Sequence, residues 1–328
     1  MKIIAITPDR KMNTLATLVI DGLYDLGIEV IATDSGNGVQ PDHIYTDDEV
    51  IEHSKDADYI FAIFCKVKNC NPPKYYLLDK INRPEVTAYI TDSEWTCTSN
   101  PDSPSQPAEC LTDLRRHRGN PWIDEEMYEK CRWYFKRIVF EEDLERDKII
   151  PCYIGSWNEY FNLDGLNFDK EFDYYCSFGG NAGHINNGLR SPIYQYLLEH
   201  QKDYNSIVGE RLEYYDYLET IKKSFIGISA WGAGNCCRRM WEIISNGTCC
   251  FIQKPFIIYP HKFVDGESCV YYETIGEFKE KLDYYIHNKE ECIRIGKNGY
   301  NHTKKYHTGK ARVEYMLKVM EGTPWQEA

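Results

Sequence analysis

Arg239 and Glu242 lie three residues apart, and Arg238 stands four before the same glutamate, so a cation and a carboxylate share one face of any helix that carries them. The surrounding stretch, residues 225–253, reads as strand, loop with Gly232 and Gly234, short helix and strand again, with Asn246-Gly247 as the helix stop. On an exposed helix such a pair is an ordinary surface ion pair. Behind a glycine loop at the C-terminal end of a strand, where open α/β sheets bind ligands, the arginine suits a diphosphate and the glutamate suits the two hydroxyls of a ribose. A second loop, Gly179-Gly180-Asn181 running on to Arg190, offers more backbone N–H groups and another cation, although glycine-rich loops also serve simply as turns. Together the two loops could hold one nucleotide diphosphate, each charge-assisted hydrogen bond contributing about 1.5–3 kcal/mol before desolvation.

The first half of the chain offers a different group. Thr91-Asp92-Ser93-Glu94-Trp95 follows an apolar strand, which turns the Asp92 carboxylate toward the crevice at the strand end, unless it only caps the next turn. Beyond it runs a long Pro- and Ser-rich loop, residues 96–120, with Arg115, Arg116 and Arg118 near its end. Loops of this length inside a compact domain usually bind something or are disordered. The basic cluster suits the phosphates of an acceptor, or is a solvated charge run.

The elements that must position these groups alternate. The pattern predicts strand 2–6, helix 13–26, strand 29–33, helix 47–55, strand 59–64, helix 74–81 and strand 86–91, then helix 125–136 and strand 137–140. Residues 151–169 read as a linker. After it come strand 174–178, helix 191–200, strand 205–208, helix 214–223 and strand 225–228 leading into the opening stretch. Strand 269–272 and helices 275–286, 290–305 and 310–320 finish the chain. The reading is two doubly wound parallel sheets: an N-terminal Rossmann-like domain over 1–155 that takes the acceptor, a C-terminal Rossmann-like domain over 156–305 that takes the nucleotide, and a last helix over 306–328 packing back on the first. The first loop, Thr7 to Met12, lacks the Gly-x-Gly-x-x-Gly fingerprint, so an ordinary dinucleotide site is not expected there.

Composition sets the bounds. With 328 residues two domains are the natural division, and a net charge of −13 opposes general adsorption to nucleic acid or anionic membrane without excluding a local basic groove. The N-terminus turns polar too early for a secretory signal and no run is long enough to span a membrane, so the expectation is a cytoplasmic protein with no membrane partner. The 13 cysteines include no Cys-x-x-Cys and read as small buried hydrophobes, and no metal site is expected. His302 and His307 read as solvated.

These residues carry a family resemblance. Arg239-Met-Trp-Glu242, followed by a small-residue helix end and a strand, resembles the nucleotide-sugar site of GT-B glycosyltransferases, and more narrowly the phage DNA β-glucosyltransferases; Gly-loop, Arg and Glu in this order also resemble the CgeB-like bacterial glycosyltransferases. The resemblance implies a GT-B fold, with two Rossmann-like domains facing a cleft. It implies a nucleotide-sugar donor, expected as a UDP-sugar, held by Gly179, Gly180, Asn181, Arg190, Gly232, Arg238, Arg239 and Glu242, with Asp92 as catalytic base. No cofactor is required, and a divalent metal can assist without being essential. The implied acceptor is a hydroxymethylated pyrimidine in double-stranded DNA, contacted by Glu94, Trp95, Arg115, Arg116 and Arg118; the alternatives are a protein, glycan or small-molecule acceptor, or a degenerate binding module. Gly234 stands where the retaining branch has a glutamate before Glu242, which leans toward inversion.

Overall fold

The computed structural model describes residues 1–7, 14–33, 45–63, 74–91, 123–157, 160, 166, 168–178, 189–210, 212–231 and 237–328. In the first half β1 (Lys2–Ile6), α1 (Thr14–Asp25), β2 (Glu29–Ala32), α2 (Asp47–Ser54), β3 (Tyr59–Ile63), α3 (Tyr76–Ile81), β4 (Thr87–Thr91), α4 (Glu125–Lys130), β5 (Trp133–Lys136) and β6 (Ile149–Pro151) build a parallel sheet of order β2-β1-β3-β4-β5-β6. Its strands are apolar on both faces because helices cover both: Ile3 and Ala5 pack on one side, Ile4 and Ile6 on the other. The entry to α2 is fixed by a capping box in which Thr46 accepts from the Glu49 N–H and Glu49 reaches back to the Thr46 N–H.

The second half contains β7 (Phe172–Cys176), α5 (Arg190–Glu199), β8 (Ser206–Val208), α6 (Tyr214–Lys222), β9 (Ser224–Ser229), α7 (Arg238–Ile244), β10 (Cys249–Gln253), β11 (Val270–Tyr272), α8 (Ile275–His287), α9 (Lys289–Tyr306) and α10 (Gly309–Met320). Its sheet is also parallel, in the order β11-β10-β9-β7-β8. The chain leaves β7 toward β8 and returns to the other side with β9, so the topological switch, the usual ligand crevice, lies between the ends of β7 and β9.

Two predicted elements are wrong. The helix expected over 125–136 stops at Lys130, Cys131 is extended, and Trp133–Lys136 is a strand paired with β4. The reason is in the side chains: Trp133 and Phe135 enter the core on one face and Tyr134 the core on the other, the period-2 alternation of a strand built from β-favouring aromatics. The strand expected over 137–140 is reduced to a single bridge at Val139. The short edge strand β6 ends on Pro151, which has no N–H to give the ladder; the next donor is Cys152 N–H, to the Lys136 carbonyl at 2.8 Å.

The halves are joined by packing and backbone contacts. Ile258 N–H donates to the Val139 carbonyl at 2.7 Å, Ser156 N–H to the His307 carbonyl at 2.6 Å, and Tyr153 stacks on Tyr259. Helix α10 lies across α1 so closely that a Cβ on Gly22 would fall 2.3 Å from the Gly309 carbonyl oxygen. His302 and His307 are not solvated as the sequence suggested. Both ring Nε2 atoms lie 2.9 Å from the His261 carbonyl, and His307 is fully buried between the end of α9 and the start of α10. Seven of the eight described cysteines are buried. Among the described residues no helix is long and apolar enough to cross a membrane.

Candidate functional site

At the switch between β7 and β9, Ser177 and Phe178 extend β7, Arg190 opens α5 and Arg239 sits in the first turn of α7. Both guanidinium carbons stand 5.4 Å from the centre of the Phe178 ring. Arg239 Nε donates to Ser177 Oγ at 2.5 Å, while Arg190 Nε is buried without an acceptor. Among the described residues neither arginine forms an ion pair. Burial, and then the neighbouring charge of Arg239, pull the Arg190 guanidinium below its ordinary pKa. Two partly desolvated cations outside any ion pair among the described residues suit an anionic ligand.

Glu242 is buried, on a helix whose Met240, Trp241, Ile243 and Ile244 are also buried. Tyr217, from α6, donates its hydroxyl to Glu242 Oε2 at 2.5 Å. Burial first, and then the Glu242 charge, hold the Tyr217 hydroxyl well above its usual pKa, so it remains a donor. Tyr214 stacks on Tyr217 with ring centres 6.4 Å apart and remains 41% exposed. Among the described residues the surface ion pair between Arg239 and Glu242 does not form; the two side chains take separate partners. Arg238 turns elsewhere, donating from Nε and Nη2 to Tyr160 Oη at 2.8 and 2.6 Å and lying over Trp157.

On the other side of β9 a cavity of about 330 Å³ is lined by Trp231, Gln253, Lys254, Pro255, Phe256 and Glu273. Trp231 is held by Gln253: its backbone N–H donates to Oε1 at 3.1 Å and its indole N–H to the Gln253 carbonyl at 2.9 Å. The ring meets Phe256 edge-on at 4.9 Å, and Phe256 meets Phe140 of the first half at 5.7 Å. Phe140 follows β5, where Arg137 N–H donates to the Thr91 carbonyl at 3.2 Å. Through Phe256 the lining of the cavity reaches Phe140 of the first half.

The sequence-predicted residues Arg190, Arg238, Arg239 and Glu242 are placed as above. Asp92, Glu94, Trp95, Arg115, Arg116, Arg118, Gly179, Gly180, Asn181 and Gly232 lie outside the described residues. Sequence reasoning missed Ser177, Phe178, Tyr217, Trp231 and Gln253. Gln253 carried a signal, a polar residue closing the apolar run Cys249–Ile252 at a strand's C-terminal end; Tyr217, 25 positions before Glu242, carried none. Among the described residues no group of three or more His, Cys, Asp or Glu is placed to hold a metal.

Residues 178–318 match the family model described as glycosyl transferase-like, a match that begins at Phe178. The chain has the GT-B fold, and its second half carries a glycosyl transferase-like domain. The fold is shared with a glycosyltransferase from Rickettsia africae (TM-score 0.55, 10% identity, 98% of this chain and 97% of that one). It is shared too with an α-glucosyltransferase solved with UDP (0.52, 11%, 98% and 100%) and with Anabaena HepE solved with UDP (0.51, 10%, 98% and 100%). No curated protein matches the sequence. The matched segment includes both arginines of the crevice between β7 and β9.

Proposed function

We propose that the protein is a glycosyltransferase that uses a UDP-sugar and transfers the sugar with inversion, in a single displacement. The observation that carries the reading is the convergence of Arg190 and Arg239 on Phe178, with the buried Arg190 Nε lacking an acceptor, beside a buried carboxylate at Glu242. In this reading the arginines neutralise the diphosphate and stabilise the charge that develops on it as leaving group. Glu242, oriented by Tyr217, accepts from the ribose hydroxyls. UDP in the solved complexes of HepE and the α-glucosyltransferase supports uridine as the base.

Asp92 takes the proton of the acceptor hydroxyl as that oxygen bonds to the anomeric carbon and the bond from the anomeric carbon to the diphosphate oxygen breaks, so UDP departs with the electron pair. Such a base contributes about 10²- to 10⁴-fold. The acceptor in this reading is a hydroxymethylated pyrimidine of duplex DNA, extruded from the stack, with Arg115, Arg116 and Arg118 on the phosphates and Glu94 and Trp95 beside the base. The net charge of −13 favours a second reading, a protein, glycan or small-molecule acceptor.

The test is transfer from a UDP-sugar to hydroxymethylated duplex DNA, read by mass spectrometry of nucleosides, with Asp92→Asn alongside. A sugar-shifted nucleoside that disappears in Asp92→Asn, with UDP binding retained, supports the proposal. No shifted nucleoside removes DNA as acceptor, and UDP binding without turnover on any acceptor class leaves a binding module.

A further inference from the structure

The nucleotide site and the Trp231 cavity lie on opposite sides of β9. Tyr217, which orients Glu242, comes from the helix after β8; the two arginines stand at the β7/β9 switch; the cavity opens at the ends of β10 and β11. A nucleoside, a diphosphate and a third group therefore fit across the sheet in that order. The third place lies toward Phe140 of the first half.

We propose that this cavity takes the sugar ring of the donor and that Lys254 and Glu273 select an uncharged hexose over a uronate; the inference rests on the donor reading above. The volume, about 330 Å³, is at the small end of ligand sites. The Trp231 and Phe256 rings supply apolar surface for the C–H face of a pyranose. Gln253 is 5% exposed and its Oε1 is taken by the Trp231 N–H; among the described residues nothing accepts from its Nε2, which remains to donate to a sugar hydroxyl.

The rim sets the charge. Lys254 N–H donates to the Tyr272 carbonyl at 2.9 Å and Glu273 N–H to Glu277 Oε2 at 2.8 Å, so both residues are held by their backbones. Their side chains pair at 2.6 Å, and the neighbouring Glu277 carboxylate is paired with Lys281 at 3.0 Å. Hydroxyls can donate to Glu273 and accept from Lys254 with the pair intact. A uronate carboxylate must either face Glu273 or separate Lys254 from it, and that repulsion is the selection. The Lys254 and Glu273 side chains are 53% and 61% exposed, so replacing either leaves folding almost unchanged.

Calorimetric titration with UDP, UDP-glucose and UDP-glucuronate, on the unaltered protein, Glu273→Gln and Lys254→Met, tests this without an acceptor. The unaltered protein should bind UDP-glucose about tenfold more tightly than UDP-glucuronate, and Glu273→Gln, which frees Lys254, should shift that ratio about tenfold toward the uronate. Lys254→Met should weaken UDP-glucuronate further, with UDP affinity unchanged in both variants. Equal binding of the two sugars by the unaltered protein, or an unmoved ratio in Glu273→Gln with UDP still bound, overturns the selection. Absence of UDP binding by the unaltered protein overturns the donor reading itself.

Discussion

Arg190 and Arg239 face one aromatic ring from separate helices, each guanidinium carbon 5.4 Å from the centre of Phe178. The ring gives the cations a common π surface and keeps water from part of each. Their mutual repulsion and the buried, unpartnered Arg190 Nε are features of the ligand-free protein that a diphosphate would relieve. Local cost at a site that gains on binding is a common arrangement in functional clefts.

Arg190→Met should therefore stabilise the ligand-free protein while removing part of its affinity for UDP. The apolar replacement fills the same space without a desolvated charge, and we expect a gain of about 1 kcal/mol in urea unfolding. Stabilisation by added UDP, read as a shift in Tm, should shrink in the same variant.

Glu242→Gln should separate the ribose from the diphosphate. The amide keeps a Tyr217 partner but accepts more weakly, and a charge-assisted hydrogen bond is about twice as strong as a neutral one. UDP affinity should fall about tenfold, the equivalent of about 1.4 kcal/mol, while inorganic pyrophosphate binds as before. Titration with both ligands checks it.

His261, His302 and His307 give a pH dependence. Burial, then the positive charge of Arg312, hold His307 well below its ordinary pKa and bring His261 down to about 4, and burial also lowers His302. In the unfolded chain each takes a proton near pH 6.5. Stability from this source is therefore fully present above that pH and is lost as the pH falls, at up to about 1.4 kcal/mol per pH unit for each proton the native state refuses. Urea midpoints should drop between pH 7.5 and 5.5, and His307→Gln should flatten that slope even though it costs Arg312 its only acceptor among the described residues.

Most of the architecture was legible because the strands are buried on both faces and punctuated by caps and glycines. Strand Lys2–Ile6 was read to the residue, the last helix to its final residue Met320, and the order of strands and helices in the second half was read as it stands. The misread segment, Glu125–Lys136, shows the limit: its acidic start and aromatic end fit a helical period locally, and only pairing with β4 makes the end a strand. At the site, Arg190, Arg239 and Glu242 could be found because loop glycines and a strand–helix order flag them. Tyr217 could not, since its link to Glu242 comes from the packing of α6 against α7 and leaves no pattern in sequence. The solvated reading of His307 failed for the same reason, its burial being made by the rings of Trp241 and Phe263, which come from distant parts of the chain, and of His302.

The central claim is that Arg190 and Arg239 together hold a nucleoside diphosphate. Calorimetric titration of UDP into the unaltered protein, Arg190→Ala and Arg239→Ala tests it most directly. The account predicts saturable one-to-one binding, weakened in each variant by about 10- to 100-fold, the range of one charge-assisted hydrogen bond at 1.5–3 kcal/mol. No binding to the unaltered protein, or equal affinity in all three, would contradict it.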